Sequence, residues 1–235
     1  LRIILLSDTQ IMKNLFLGLL SAAALFPAPA LSETYTPYTA SALGCMKLGE
    51  CIDGVFKVFV GDHLEIFGDL NWSEQERREA DDLIQVLEDI DVTVYIAEPK
   101  YFPRSMLAVY YTDINTIFLN GDRDSVPTSI LQSLRHEAWH TAQDCMAGTV
   151  NNTFMAVIFQ DDEIPEKYKR IAEIRYGRFR NTAKAVPWEK GAIYAGNTPG
   201  LSLKTLKVCK DGRMWETIEP TPLTKKWLVK EGYID

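Results

Sequence analysis

The sequence lacks the short motifs that mark several common classes of enzyme. It contains no G-x-S-x-G turn of serine esterases, no P-loop and no G-x-G-x-x-G turn for dinucleotides. Its net charge of −7 at pH 7 argues against sequence-independent binding of nucleic acid, which needs clustered lysine and arginine. Histidine is scarce as well, with three residues in a chain of 235. Two of these three histidines lie in a single pentapeptide, which makes it the most informative part of the chain.

His136, Glu137 and His140 form an H-E-x-x-H run. On a helix, residues four apart lie on the same face, so both imidazoles can reach one metal ion. Glu137 then projects beside that ion, where a carboxylate can take a proton from water. The pattern is typical of a zinc hydrolase and most often of a metallopeptidase. The alternative is a surface helix that carries two histidines by chance.

The residues around the motif predict a helix with two distinct sides. Pro127 suits the first turn of this helix, and Gly148 suits its end. Apolar residues recur at helical spacing along one stripe, namely Ile130, Leu134, Ala138, Ala142 and Cys145. At about 100° per residue, the two histidines point away from this stripe, as the wall of a cleft requires. A helix whose polar face simply meets solvent would show the same pattern.

Residues 12–32 have the features of a secretory signal peptide. Met12 is interpreted as the start of the protein, with residues 1–11 as upstream read-through. A lysine precedes the apolar run LFLGLLSAAALF, and small residues suit cleavage after Ala30 or Ser32. An uncleaved membrane anchor is the alternative, but the run is short for a span. Since no second run approaches that length, we expect a soluble product, secreted or periplasmic, with no stable membrane span.

Four cysteines remain after export: Cys45, Cys51, Cys145 and Cys209. An even number of cysteines in an exported chain suggests two disulfides. Three pairings are open from the sequence alone. We favour Cys45 with Cys51, which closes a short loop, and Cys145 with Cys209, which ties the motif helix to the C-terminal region. Zinc binding by the cysteines is the rival interpretation, and the absence of any C-x-x-C pair weakens it.

The remaining residues predict a single α+β domain over residues 33–235. Strands are expected between Val55 and Phe67, at 92–96, and in a hairpin with strands at 107–111 and 116–119. A helix is expected near 74–90, since Ser73 and Glu76 form a capping box before an amphipathic run. Further helices are expected at 165–176, from Pro187 onwards, and from Thr198 and Pro199 to about Val208.

The segment LRHEAWHTAQD, from Leu134 to Asp144, resembles the active-site helix of zincin metallopeptidases. The hairpin expected just before this helix also resembles zincins, in which strands of the sheet precede the active-site helix. The resemblance implies a zincin-like fold, in which a small mixed or antiparallel sheet packs on the active-site helix and the C-terminal part is helical. It also implies Zn²⁺ as the cofactor. The implied substrate is a peptide or protein, which pairs with the edge strand of the sheet.

Zinc catalysis normally uses three protein ligands and leaves a fourth position for water. Metzincins supply a third histidine shortly after the motif, but Gln143 and Met146 hold the corresponding positions here. The resemblance is therefore to gluzincins, in which a glutamate from a later helix is the third ligand. Glu189, at the start of a short helix rich in small residues, is our first candidate, and Glu173 is the second. The remaining histidine, His63, is assigned to ordinary structure.

The same resemblance implies roles for other side chains. Glu137 is expected to act as the general base and to pass its proton to the leaving amine. The sequence does not select the donor that stabilises the oxyanion: Tyr194, Tyr176 and Arg175 are candidates, and each is more often a packing or surface residue. Asp144 and Asn152 are possible partners for the histidines. Two other functions stay open: a zinc hydrolase with a non-peptide substrate, and a non-catalytic zincin-fold binding or structural protein of the cell envelope.

Overall fold

A computed structural model describes residues 40–61, 72–103, 106–121, 127–147, 150, 154–178, 183–217 and 229–230. All of these residues belong to the unit Tyr35–Asp235. The expected read-through and signal peptide lie outside the described residues, as do His63, Gly148 and Asn152.

Four strands form one sheet within the described residues: β1 (Val55–Lys57), β2 (Thr93–Ala97), β3 (Ala108–Tyr111) and β4 (Thr116–Asn120). Their order across the sheet is β1-β2-β4-β3. Strands β2 and β4 are parallel, whereas the β1/β2 and β3/β4 pairs are antiparallel. The sheet is therefore mixed, with β1 at one edge and β3 at the other.

Helices dominate the rest of the described chain. They are α1 (Ala40–Lys47), α2 (Glu74–Glu88), α3 (Pro127–Met146), α4 (Glu166–Tyr176), α5 (Val186–Gly196), α6 (Leu201–Lys210) and α7 (Met214–Thr217). Short 3₁₀ turns lie at Pro99–Tyr101, Asp161–Glu163 and Ala183–Ala185. The predicted α+β class and the helical C-terminal part are confirmed. None of the helices in the described ranges has both the length and the apolar character that crossing a membrane requires.

The start of α2 follows from the predicted capping box. The Ser73 Oγ accepts a hydrogen bond of 3.3 Å from the Glu76 backbone, and the Glu76 carboxylate accepts one of 2.9 Å from the Ser73 backbone. The helix ends at Glu88, slightly before the predicted end. Asp91 then adopts a left-handed conformation with φ 63° and turns the chain into β2.

The predicted hairpin is also present, since β3 and β4 pair from Ala108 opposite Leu119 to Tyr111 opposite Thr116. Asn115 in the turn has φ 48°, a conformation that asparagine tolerates better than most residues. Among the C-terminal helices, α4 and α5 begin near the predicted positions. Helix α6 begins later than predicted, at Leu201, after Gly200 with φ 76°.

The motif helix α3 is a central element of the core. It packs against the sheet, α2, α5 and α6. The apolar stripe through Leu134, Ala138 and Ala142 is buried as expected, but His140 on the other side is only 9% exposed and Gln143 only 1%. The histidine side of α3 is therefore largely buried as well, because α5 packs against it.

Two disulfides are formed, and they have the favoured pairing. Cys45 joins Cys51 with their Cα atoms 5.2 Å apart, and Cys145 joins Cys209 with Cα atoms 6.2 Å apart. The second bond ties the end of α3 to α6. A chain with two disulfides and no free cysteine in its described part is compatible with an extracellular protein.

Candidate metal centre

The two motif histidines lie one helical turn apart on α3. Their Nε2 atoms are 3.2 Å apart, and their ring centroids are 4.8 Å apart. Both histidines are largely buried, since 18% of the side-chain surface of His136 and 11% of the side-chain surface of His140 are exposed. Two imidazole nitrogens therefore converge on one small volume.

Glu189, from the first turn of α5, reaches the same volume. Its Oε2 lies 3.2 Å from Nε2 of His136, and its Oε1 lies 3.6 Å from Nε2 of His140. The ligand atoms of His136, His140 and Glu189 all lie within 4.8 Å of one another. Although Oε2 is buried and close to His136, it has no well-aligned hydrogen bond within the described part of the chain. Such a buried acceptor suits a cation between the three side chains.

Several neighbours set the protonation of Glu189. Burial raises the pKa of its carboxyl, but the imidazoles of His136 and His140 and the hydroxyl of Tyr176 outweigh burial and hold the pKa below its ordinary value. The carboxyl is thus favoured in its charged form, which is the form that binds a metal ion.

Glu137 lies between α3 and the edge strand β3. It is 7% exposed, and its carboxyl accepts a hydrogen bond from the backbone of Tyr110. Burial raises the pKa of Glu137 to about 7, with the charge of Glu189 acting in the same direction, whereas His140 and the Tyr110 backbone oppose the shift. A carboxyl with this pKa can both accept and release a proton near neutral pH.

Close packing of α5 on α3 brings Glu189 to the histidines. A Cβ at Gly191 would lie 2.9 Å from Nε1 of Trp139, and one at Gly196 would lie 3.1 Å from the Gln132 carbonyl and 3.3 Å from Cβ of His136. The interpretation that small residues permit this approach is confirmed.

The second glutamate candidate is elsewhere. Glu173 lies on the exposed face of α4, and its carboxylate is 3.4 Å from Nζ of Lys190. The structure brings Glu189 to His136 and His140 and leaves Glu173 at the surface.

The structure separates the three oxyanion candidates. The Tyr176 hydroxyl donates to Glu189, and burial together with the nearby charge of Glu189 raises the pKa of Tyr176. Tyr194 packs with the rings of Phe159 and Tyr168, at centroid distances of 5.5 Å and 5.4 Å. Arg175 is exposed on α4. Of the three, Tyr176 lies in the site.

The partner of His140 is a residue whose role the sequence analysis missed. Nδ1 of His140 lies 2.8 Å from Oε1 of Gln143, and Nε2 of Gln143 donates a 3.1 Å hydrogen bond to the Trp188 carbonyl. Asp144, one of the two candidate partners, instead accepts a 2.8 Å hydrogen bond from the Tyr110 hydroxyl, because its position on α3 faces the sheet. The spacing of three residues between His140 and Gln143 is the sequence signal that could have indicated the contact.

No known family model matches the chain, and comparisons with curated proteins and with solved structures likewise found no match.

Proposed function

We propose that this chain is an exported zinc-dependent metallopeptidase of zincin type. His136, His140 and Glu189 would hold Zn²⁺, and Glu137 would act as the general base. The single observation that carries the proposal is the position of Glu189, which comes from a helix 49 residues after His140 and lies within 3.6 Å of both histidines.

The donor set fits zinc. Two imidazole nitrogens and one carboxylate are a common set in catalytic zinc sites, and they leave one coordination position for water. When bound, zinc lowers the pKa of its water ligand toward neutrality and polarises a substrate carbonyl. The charged form of Glu189 and its buried Oε2, which accepts no well-aligned hydrogen bond from the described residues, support a cation at this place.

Glu137 is suited to move a proton. Its raised pKa allows the carboxyl to accept a proton from the attacking water and to deliver it to the leaving amine. The hydrogen bond from the Tyr110 backbone orients the carboxyl toward β3. Tyr176 is held by Glu189 close to both acidic side chains and would donate to the developing oxyanion.

The edge strand supports a peptide as the substrate. The Asn120 backbone donates to the Leu107 carbonyl, so alternate residues from Leu107 onwards face β4. The backbone groups of Ala108 and Tyr110 therefore face away from the sheet, and that of Tyr110 reaches Glu137. Since the Tyr110 N–H already donates to Glu137, an extended peptide would pair with this edge through the backbone groups of Ala108 and would run beside the proposed base.

The alternative is a zinc-binding protein of the cell envelope that has a zincin-like fold but no turnover. The low exposure of Glu137 (7%) and His140 (9%) favours this alternative, since a substrate must reach the base and the metal that His140 would hold. The buried base with a pKa near neutrality favours the enzyme, because a binding protein has no need of it.

Metal analysis and one substitution test the proposal. Purified protein should contain about one zinc ion per chain, and His136→Ala should lose it. Glu137→Gln should keep the zinc and lose cleavage of a broad peptide library. Zinc-free protein after reconstitution would overturn the metal site. Zinc without cleavage by the unsubstituted chain would favour the binding protein.

A further inference from the structure

The side-chain amide of Gln143 is buried between two elements of the proposed site. Gln143 is 1% exposed, and both ends of its amide are engaged. Oε1 lies 2.8 Å from Nδ1 of His140 on the same helix, and Nε2 lies 3.1 Å from the carbonyl oxygen of Trp188 at the start of α5. One side chain thus contacts a histidine of the motif and the residue that directly precedes Glu189.

The Trp188 contact decides which way the amide faces. A backbone carbonyl only accepts hydrogen bonds, so the NH₂ group of Gln143 must face Trp188. The carbonyl oxygen of the amide must then face His140, and it too only accepts. Nδ1 of His140 must therefore carry the hydrogen, and in the neutral ring this leaves the lone pair on Nε2. That lone pair points into the volume shared with Nε2 of His136, 3.2 Å away, and Oε1 of Glu189, 3.6 Å away.

Further hydrogen bonds hold the Trp188 end in place. The Trp188 indole donates to the backbone carbonyl of Met155 at 2.7 Å. The Ala156 backbone N–H donates to the backbone carbonyl, not the side chain, of Gln143 at 2.9 Å. The segment around Met155 and Ala156 therefore joins the end of α3 to the start of α5. The amide of Gln143 completes a closed set of contacts among these three elements.

We infer that Gln143 is a positioning residue that holds His140 as the Nδ1–H tautomer and couples the orientation of this ring to the helix that carries Glu189. The importance of this coupling for zinc rests on the proposed function. A glutamine does this without adding a negative charge, whereas the carboxylates that commonly serve metal-binding histidines add one. Glu189 thus remains the negative ligand of the centre.

The tautomer can be measured without metal or turnover. Metal-free protein with ¹⁵N-labelled histidine contains three imidazoles, and His140→Ala assigns the relevant signals. Long-range ¹H–¹⁵N spectra above the ordinary titration range of imidazole distinguish Nδ1–H from Nε2–H. We expect His140 to be Nδ1–H in the unsubstituted chain and a mixture in Gln143→Met, which has a similar length but no amide. Gln143→Glu keeps an acceptor and should keep the tautomer.

Gln132 provides the matched control. It lies on the same helix, and its Nε2 donates a 2.7 Å hydrogen bond to Asn197 at the opposite end of α5. Gln132→Met removes an interhelical hydrogen bond of the same kind and should leave the His140 tautomer unchanged. Competition with a chromophoric chelator should show zinc affinity reduced about 10- to 100-fold in Gln143→Met, with little change in Gln132→Met. Circular dichroism establishes that each variant is folded.

Three results would distinguish the inferred role of Gln143 from the proposed zinc-dependent function. An Nε2–H tautomer for His140 in the unsubstituted chain would overturn the inference, whatever the protein does with zinc. An unchanged tautomer in folded Gln143→Met would overturn it as well. A tautomer that depends on Gln143 in a protein that binds no zinc would support the role of Gln143 and overturn the proposed function.

Discussion

The hydroxyl of Tyr110 donates a 2.8 Å hydrogen bond to Oδ2 of Asp144 and so ties the edge strand β3 to the motif helix α3. Asp144 is fully buried, and its Oδ1 has no hydrogen-bond partner within the described residues. Burial raises the pKa of Asp144 to about 8, although the hydrogen bond from Tyr110 opposes the shift. The Asp144 carboxyl is therefore mostly protonated in the folded chain at neutral pH.

Asp144→Asn should raise the free energy of unfolding at neutral pH. Between the ordinary pKa of 3.8 and about 8, the unfolded chain releases the Asp144 proton while the folded chain keeps it. The folded state binds more protons, so this group lowers stability as pH rises through that window, by up to about 1.4 kcal/mol per pH unit. Asparagine does not titrate, so at this position it adds no pH dependence to the free energy of unfolding.

Urea unfolding of both chains at several pH values measures the effect. The stability difference should be small below pH 4 and should grow toward pH 8. A difference that is the same at all these pH values would show that Asp144 does not keep its proton.

Glu189→Gln should abolish stoichiometric zinc binding, because it replaces the proposed negative ligand with a neutral amide. Glu173→Gln is the matched control, since Glu173 pairs with Lys190 at the surface and does not face the histidines. Metal analysis after dialysis measures both. Loss of zinc in Glu173→Gln with retention in Glu189→Gln would contradict the proposed ligand set.

Glu79→Ala should destabilise the fold by about 3–5 kcal/mol, because it leaves the Arg135 charge buried and unpaired. Both Glu79 oxygens accept 2.7 Å hydrogen bonds from Arg135, and Oε1 also accepts from the Gly200 backbone. Glu74→Ala, on the same helix, removes an exposed pair with Arg78 and should cost less than about 1 kcal/mol. Chemical unfolding compares the two, and equal costs would contradict this account of the buried pair.

Gly191→Ala should weaken both the fold and zinc binding. The new Cβ would lie 2.9 Å from the Trp139 indole nitrogen, so α5 must shift away from α3 at a cost of about 1–3 kcal/mol. A Cβ at Gly44 in α1 would meet no atom of the described residues within 4 Å, so Gly44→Ala should stabilise the fold by about 0.5–1 kcal/mol. Thermal unfolding and zinc competition measure the two effects. Full zinc affinity in Gly191→Ala would show that Glu189 does not depend on this close approach.

Replacing Cys145 and Cys209 by alanine should cost more stability than replacing Cys45 and Cys51. The first pair is separated by 64 residues and the second by 6, so loop closure predicts about 4 kcal/mol against about 2 kcal/mol. Denaturant unfolding of the two double variants measures the difference. A larger loss from the short loop would indicate that strain or packing, rather than chain entropy, sets the contributions.

Features that depend on neighbouring residues were predictable from the sequence. The capping box of Ser73 and Glu76, the β3–β4 hairpin and the motif helix each follow from short-range spacing. The small residues Gly191 and Gly196 were informative for a related reason, since they reveal a face that another helix can approach closely. For this reason Glu189 could be selected among the many acidic residues of the chain.

Contacts between distant elements could not be predicted in this way. The strand order β1-β2-β4-β3, the hydrogen bond from Tyr110 to Glu137 and the bridge from Gln143 to Trp188 join residues that are far apart in sequence. Burial of the histidine side of α3 could not be predicted either, because it results from the packing of α5, which is distant in sequence. A single sequence shows no covariation that would identify such pairs.

The spacing of the two disulfides has a consequence for the order of oxidation during synthesis. A chain that emerges with its N-terminus first presents Cys45 and Cys51 together, well before Cys145 exists. Once that small loop has closed, Cys145 and Cys209 are the remaining thiols and have no wrong partner. In a chain that is oxidised during synthesis, the early bond would thus limit mispairing of the late one, which ties α3, the helix that bears both motif histidines, to α6.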